Sequence, residues 1–380
     1  MSGMNIVNKG HIRKFYTIKT RVAARARFLD VRRGRGPERR KIMAVKIFVC
    51  LALLAANLPA GAQEAGTAAP AVNSFYERGP EKEYALKSVY VGGEVADPGP
   101  VELASLPVRQ VAVKELAYAL GKPQFKGAYF FSGYSLYDIL NAKRVKKAGA
   151  DFRPETDLFV IVENDKGEKA VFSWGEIYYA RDSFNALIYK SARSITTGRN
   201  KDWPLPEAPR LVCSDDLYNT RFIADPSKIT VRSAPGTYPG EKHAAVYAAG
   251  FNVLAGGKTT AIADIEKLAA ERDYVTAGYG HGNGFKGVKA TEGFLFKDIL
   301  AKTAGIAPQD SGPYLVVVSA GDAYRAAFSL SEIINRGDNA DFLVEDKGHD
   351  ESGRFALYST ADFFLDRNVS SVAKVEVLKP

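Results

Sequence analysis

Gly133-Tyr134-Ser135-Leu136-Tyr137-Asp138-Ile139-Leu140 returns 160 positions later as Gly293-Phe294-Leu295-Phe296-Lys297-Asp298-Ile299-Leu300. Other landmarks repeat with it, in the same order. Phe172-Ser173-Trp174-Gly175-Glu176-Ile177 recurs as Phe328-Ser329-Leu330-Ser331-Glu332-Ile333, at an offset of 156. Arg221 followed by Lys228-Ile229-Thr230-Val231 recurs as Arg367 followed by Lys374-Val375-Glu376-Val377, at an offset of 146. Val89-Tyr90 with Gly93 returns as Val246-Tyr247 with Gly250. The offsets drift as loop insertions make them drift. A period this long excludes a solenoid, whose units run about 20–50 residues. Two copies of one globular domain are expected, over residues 85–232 and 245–380, each near the usual domain size of roughly 100–150 residues. Pro235, Gly236, Pro239 and Gly240 mark the linker between them.

The formal charge of +9 misleads. The first 62 residues hold fourteen Lys or Arg against Asp30 and Glu38, which leaves 38 basic and 41 acidic residues on the remainder. A body with no basic excess argues against a nucleic-acid partner. Residues 1–62 read as a leader with a signal peptide: Lys41 and Lys46, an apolar run from Ile47 to Ala56, then Ala60-Gly61-Ala62 as a small-x-small cleavage site. The run is too short to span a bilayer, which needs about 20 apolar residues. The expectation is a periplasmic or secreted protein with no stable membrane span after cleavage. Met43 as the true start, or twin-arginine export through Arg39-Arg40-Lys41, accounts for residues 1–42. Residues 63–84 read as a tether, and Cys213 is the one cysteine beyond the leader.

Leu158-Phe159-Val160-Ile161-Val162 is an apolar run of strand length that suits a strand buried on both faces. Asn164-Asp165-Lys166-Gly167 turns it into a hairpin with Ala170-Val171-Phe172. Ser173 and Glu176 then stand at capping-box spacing for a short helix, as do Ser329 and Glu332 in the second copy. The Gly-aromatic repeats, with apolar residues three and four apart, predict a helix around Asp138 and another around Asp298.

This order of elements resembles the oxidoreductase molybdopterin-binding domain of the sulfite oxidase family. The resemblance is clearest over Gly293 to Ile306, Tyr314 to Glu332, Pro209 to Val212, and Arg367 to Val377. It implies an α+β fold, two tandem sulfite-oxidase-like mixed α/β domains. In active members it also implies a molybdenum held by a pterin dithiolene and one cysteine, placed after the strand that precedes the Asp-Ile-Leu helix. Those regions here read Val111 to Tyr118 and Tyr274 to Gly282, both without sulfur. Cys213 lies near the closing strand instead, and Ser359 is its counterpart. No catalytic residue is carried over. The expectation is therefore a protein without molybdenum catalysis, with no metal ligand and no cofactor, that binds a small-molecule ligand or an envelope protein. The alternative is a molybdopterin-dependent oxidoreductase lacking a protein thiolate ligand.

The stretch from Gly278 to Gly287 is the most site-like, because its five glycines let backbone N–H groups approach a ligand. The candidate ligand-binding set is Gly280, His281, Asn283 and Lys286, with Arg325 on the neighbouring hairpin. The bland readings are a glycine-rich connection and a solvated turn. Arg221 and Arg367 either reach a phosphate or fix local carboxylates. Gly257-Lys258-Thr259 ends like a phosphate loop, but Asn252 stands where its first Gly belongs. The four histidines form no pair at metal-ligand spacing, and no Gly-x-Ser-x-Gly elbow is present.

Overall fold

The computed structural model describes residue 76 and residues 79–148, 151–196, 203–238, 247–280 and 284–380, all in one compact unit. The expected leader, with its export signal, lies outside the described residues. The first half contains β1 (Glu81–Glu83), β2 (Val89–Gly93), β3 (Gly99–Val101), β4 (Arg109–Ala119), β5 (Lys122–Ser135), α1 (Leu136–Asn141), β6 (Leu158–Asn164), β7 (Lys169–Ser173), α2 (Trp174–Tyr178), β8 (Ala186–Ser194), β9 (Leu211–Cys213) and β10 (Pro226–Ser233). The second contains β11 (Phe251–Ala255), β12 (Lys258–Ile262), β13 (Glu271–Gly280), β14 (Gly284–Leu295), α3 (Phe296–Thr303), β15 (Leu315–Ala320), β16 (Arg325–Ser329), α4 (Leu330–Ile334), β17 (Phe342–Asp346), β18 (Phe355–Ser359) and β19 (Val372–Leu378).

The expectation of an α+β, sulfite-oxidase-like fold is overturned. The chain is mostly β, with 48% strand and 13% helix, in four small sheets arranged as a four-blade β-propeller. Two sheets run in the orders β3-β2-β10-β6-β7 and β12-β11-β19-β15-β16. In each, the closing strand sits in the middle, parallel to the opening strand and antiparallel to the buried hairpin. The other two are β4-β5-β8, with β1 and β9 both on β8, and β13-β14-β17-β18. The closing strand's central place departs from a simple up-and-down blade, and both halves share it. No helix among the described residues is long and apolar enough to cross a membrane.

The correction has a physical source. Gly133-Tyr134-Ser135 ends a long strand rather than starting a helix, and α1 is only six residues long. Along β5, Gly127, Tyr129, Phe131 and Gly133 are buried in alternation, which is a two-residue period. A Cβ on Gly133 would stand 2.1 Å from the Ile188 carbonyl oxygen, so only glycine admits the bulge where β5 meets β8. The described part of the expected glycine-rich loop is likewise strand: β13 runs to Gly280, β14 begins at Gly284, and the two pair with Gly278 opposite Gly287.

Where apolar runs are continuous, the reading from sequence matches the structure. Leu158, Val160 and Val162 face the first half's own core, while Phe159 and Ile161 face the second half. On β15, Val316 and Val318 turn inward, and Leu315 and Val317 meet Phe159, Ile161 and Val171. The two halves are thus joined by one apolar layer between β6–β7 and β15–β16. Beyond β10, Ala234 is buried and Tyr238 lies against the Arg325 guanidinium, with 4.6 Å from ring centre to Cζ.

Candidate functional site

Each helix that follows a buried hairpin begins with a complete capping box. Ser173 Oγ accepts from the Glu176 N–H and the Glu176 carboxylate accepts from the Ser173 N–H; Ser329 and Glu332 repeat the arrangement. These boxes bring both Glu side chains to the junction of the halves. Arg221 donates to Glu176 at 2.9 Å and to Asp216 at 2.7 Å, and its Nη1 crosses to Ser329 Oγ at 3.2 Å. Arg367 mirrors it, donating to Glu332 at 3.0 Å, to Asp362 at 2.6 Å, and across to Ser173 Oγ at 2.8 Å. Each arginine is 1% exposed. The two arginines fix local carboxylates, as the second of the two sequence readings has it, and they also tie one half to the other.

Four carboxylates surround two guanidinium groups here, and burial penalises the excess negative charge. Burial, with the Glu332 carboxylate adding to it against the pull of Arg221, pushes Glu176 up to about 7. Burial also raises Asp362 against the pull of Arg367. A cavity of about 20 Å³ between Glu176, Arg221, Glu332, Asp362 and Arg367 has room for one water, not for a substrate.

The large opening lies on one side of this junction. A cleft of about 720 Å³ is lined by Arg153, Glu155, Thr156 and Tyr179 from the first half and by Tyr279, Gly280, Tyr324, Phe364 and Asp366 from the second. That volume falls in the range of small-molecule sites. Tyr179 is placed by the end of α2, and its carbonyl accepts from Phe363 N–H at 2.7 Å. The Tyr179 and Tyr279 rings each lie 6.1 Å from the Phe364 ring, centre to centre. The Tyr324 hydroxyl donates to the Asp366 carbonyl. Burial raises the Tyr179 hydroxyl above its ordinary pKa, and the nearby Glu155 and Asp366 carboxylates add to the shift. A second hollow of about 270 Å³ lies beyond Tyr279, between Arg181, Thr276, Phe285, Tyr358 and Ser359.

The duplication supplies an internal control. By the offsets of 156 and 146, Tyr179 corresponds to Asn335, Phe364 to Tyr218, Asp366 to Thr220 and Thr156 to Gly312. On that other side, the Asn335 side chain accepts from the Tyr218 N–H and donates to the Tyr218 carbonyl, both at 2.9 Å. Gly312 N–H donates to Thr220 Oγ1 at 3.2 Å. At the equivalent place the Asn335 side chain and the Tyr218 backbone are bonded to each other, and the Tyr118 and Tyr218 rings meet at 5.8 Å.

Of the residues singled out from sequence, Gly280 lines the cleft. Lys286 is exposed at the bulge of β14, where Gly278 pairs with Gly287 and Tyr279 with Phe285. His281 and Asn283 lie outside the described residues. Arg325 is 5% exposed and donates to Asp157 at 2.8 Å and Asp151 at 3.1 Å, with Phe152 against its guanidinium. It fastens one half to the other and does not line the cleft. Tyr179 and Phe364 were missed; Tyr279 stands inside the glycine-rich stretch and Tyr324 next to Arg325, but neither was read as a ligand contact. Divergence between the copies gave no usable signal, because Tyr178, Ala180, Leu365 and Asn368 differ from their counterparts as Tyr179 and Asp366 do.

Gly257-Lys258-Thr259 forms the tight turn into β12, with Gly256 at φ 56° and Gly257 at φ 78°. The resemblance implies a molybdenum–dithiolene group, and the described residues do not fit one. Cys213 is 3% exposed inside the first half's core, and burial raises its thiol well above the ordinary value. A protonated core thiol makes no metal ligand. Compared with known proteins, the chain matches no family model and no curated protein.

Proposed function

We propose that this protein binds a small organic molecule in the cleft between its halves. One observation carries the reading. A cleft of about 720 Å³ is walled by Tyr179, Tyr279, Tyr324 and Phe364, whereas at the place related to it by the internal duplication Asn335 is bonded to Tyr218. An apolar-walled concavity with a few polar groups at its rim is the usual form of a binding site. The rings come from four separate chain segments and present large, stiff contact area at little entropic cost. Binding is the part of the chemistry supported here; the buried arginines and carboxylates are engaged with one another.

Native mass spectrometry of the full chain, before and after mild denaturation, tests the reading. A small molecule released from the native protein and lost from Tyr279→Ala is the expected result. Tyr279 is 44% exposed, so the variant should keep the thermal midpoint of the parent. If the native chain carries nothing and takes up no member of an aromatic fragment set at millimolar concentration, the reading fails.

A further inference from the structure

We infer that the ligand of this cleft is an organic cation, an amine or quaternary ammonium group on an apolar body; the inference rests on the cleft being the binding site. Among the described residues, two carboxylates, Glu155 and Asp366, line it, against one basic group, Arg153. Neither carboxylate has an ion-pair partner among the described residues, whereas the buried carboxylates a few residues away, Asp157 and Asp362, are both held by arginine. They come from opposite halves, Glu155 from the turn before β6 and Asp366 from the turn before β19. Asp366 Oδ2 lies 3.5 Å from where a Cβ on Gly280 would stand, which aims the carboxylate at the Gly280 wall.

The rings supply the second half of the argument. Tyr179, Tyr279, Tyr324 and Phe364 have electron-rich faces that attract cations and repel anions. Burial holds Tyr179 and Tyr324 in the neutral phenol form, so the rings add no full negative charge. A compact, strongly hydrated ion loses more on leaving water than a diffuse one, which favours an alkylated ammonium over a metal cation. Among the described residues, no group of three or more His, Cys, Asp or Glu is gathered to hold a metal ion. Arg153 at the mouth opposes a cation, so removing it should tighten binding.

Titration calorimetry on the full chain separates the possibilities, using choline and its uncharged isostere 3,3-dimethylbutan-1-ol, then benzyltrimethylammonium and benzoate. The expected result is that each ammonium compound binds at least about tenfold more tightly than its uncharged or anionic counterpart. Glu155→Gln should weaken the cation about three- to tenfold and leave the alcohol unchanged, and Arg153→Ala should strengthen the cation. Equal affinity for choline and the alcohol, or preference for benzoate, overturns the cationic assignment while the cleft remains a binding site. No binding of any of the four at about 10 mM, well above ordinary small-ligand affinities, removes both readings. The comparison on the parent chain needs no variant to fold.

Discussion

At the scale of single residues, the junction is governed by how closely two guanidinium groups can be packed. Gly175 sits in the first turn of α2, where Ala is ordinarily better than Gly by roughly 0.5–1 kcal/mol. A Cβ there would stand 2.1 Å from both Cδ and Nε of Arg367. That side chain has no freedom to retreat, because Glu332, Asp362 and Ser173 hold it from three directions. Gly175→Ala is therefore expected to destabilise by about 1–3 kcal/mol, the cost of overpacking, with the sign reversed from helix propensity. Urea denaturation at neutral pH checks it; an unchanged or raised midpoint would mean that Arg367 can swing aside. Nothing in the sequence around Gly175 announces this constraint. The repeat aligns it with Ser331, which is also buried and bonded to Ser311 at 2.7 Å, so the two halves solved the same crowding differently.

At the scale of elements, the capping boxes do two things at once. Ser173 Oγ accepts from the Glu176 N–H at 2.9 Å and from Arg367 at 2.8 Å; Ser329 Oγ accepts from the Glu332 N–H at 3.1 Å and from Arg221 at 3.2 Å. Losing a cap alone costs about 1 kcal/mol. Losing a hydrogen bond to a buried charge adds roughly 1.5–3 kcal/mol. Ser173→Ala should thus cost more than an ordinary cap, about 2–4 kcal/mol in denaturant titration, and more than Ser329→Ala, whose crossing bond is longer. Equal losses near 1 kcal/mol would reduce the crossing bonds to bystanders. These boxes, and the hairpins before them, were legible because the signal is local: a hydroxyl and a carboxylate three residues apart, after a continuous apolar run. The long hairpins β4–β5 and β13–β14 were not, because their burial alternates and glycines interrupt it, as at Gly127, Gly133, Gly278 and Gly287. The start of β4 reads as a strand over Val108 to Val113, but its full length and its partner β5 do not, so the short helices weighed too heavily and a β protein was read as α+β. The cleft was only partly legible for a related reason. Its glycine-rich stretch was noticed, but the rings that wall it arrive from segments about 185 residues apart, from Tyr179 to Phe364.

For the whole molecule, the junction makes stability depend on pH in an unusual direction. Glu176 is raised to about 7 and Asp215 to about 6, in each case chiefly by burial. Asp362 and Asp157 are shifted the same way, again chiefly by burial. A carboxyl whose pKa is higher in the folded state than in the unfolded chain takes up a proton on folding. Its contribution is complete below the unfolded value, about 4.3 for a glutamate, and is lost as pH rises through the folded one. From pH 8 down to about 5 the fold should therefore gain stability. Asp138, Asp338 and Asp346 lie below their ordinary values, held by Arg109, Arg336 and Arg354, and their contribution disappears as they protonate at lower pH. The stability maximum is accordingly expected near pH 5, on the acid side of neutrality. Glu176→Gln mimics the protonated side chain, so the variant should approach the parent's stability at pH 5 and exceed it at pH 8. An upper bound on the difference at pH 8 is about 4 kcal/mol, set by the distance between the two pKa values. Urea midpoints for both proteins from pH 4 to 9 decide the matter. Parallel curves would place the proton elsewhere in the cluster, on Asp362, and a variant less stable at every pH would show that the Arg221–Glu176 bond outweighs the cost of burying its charge.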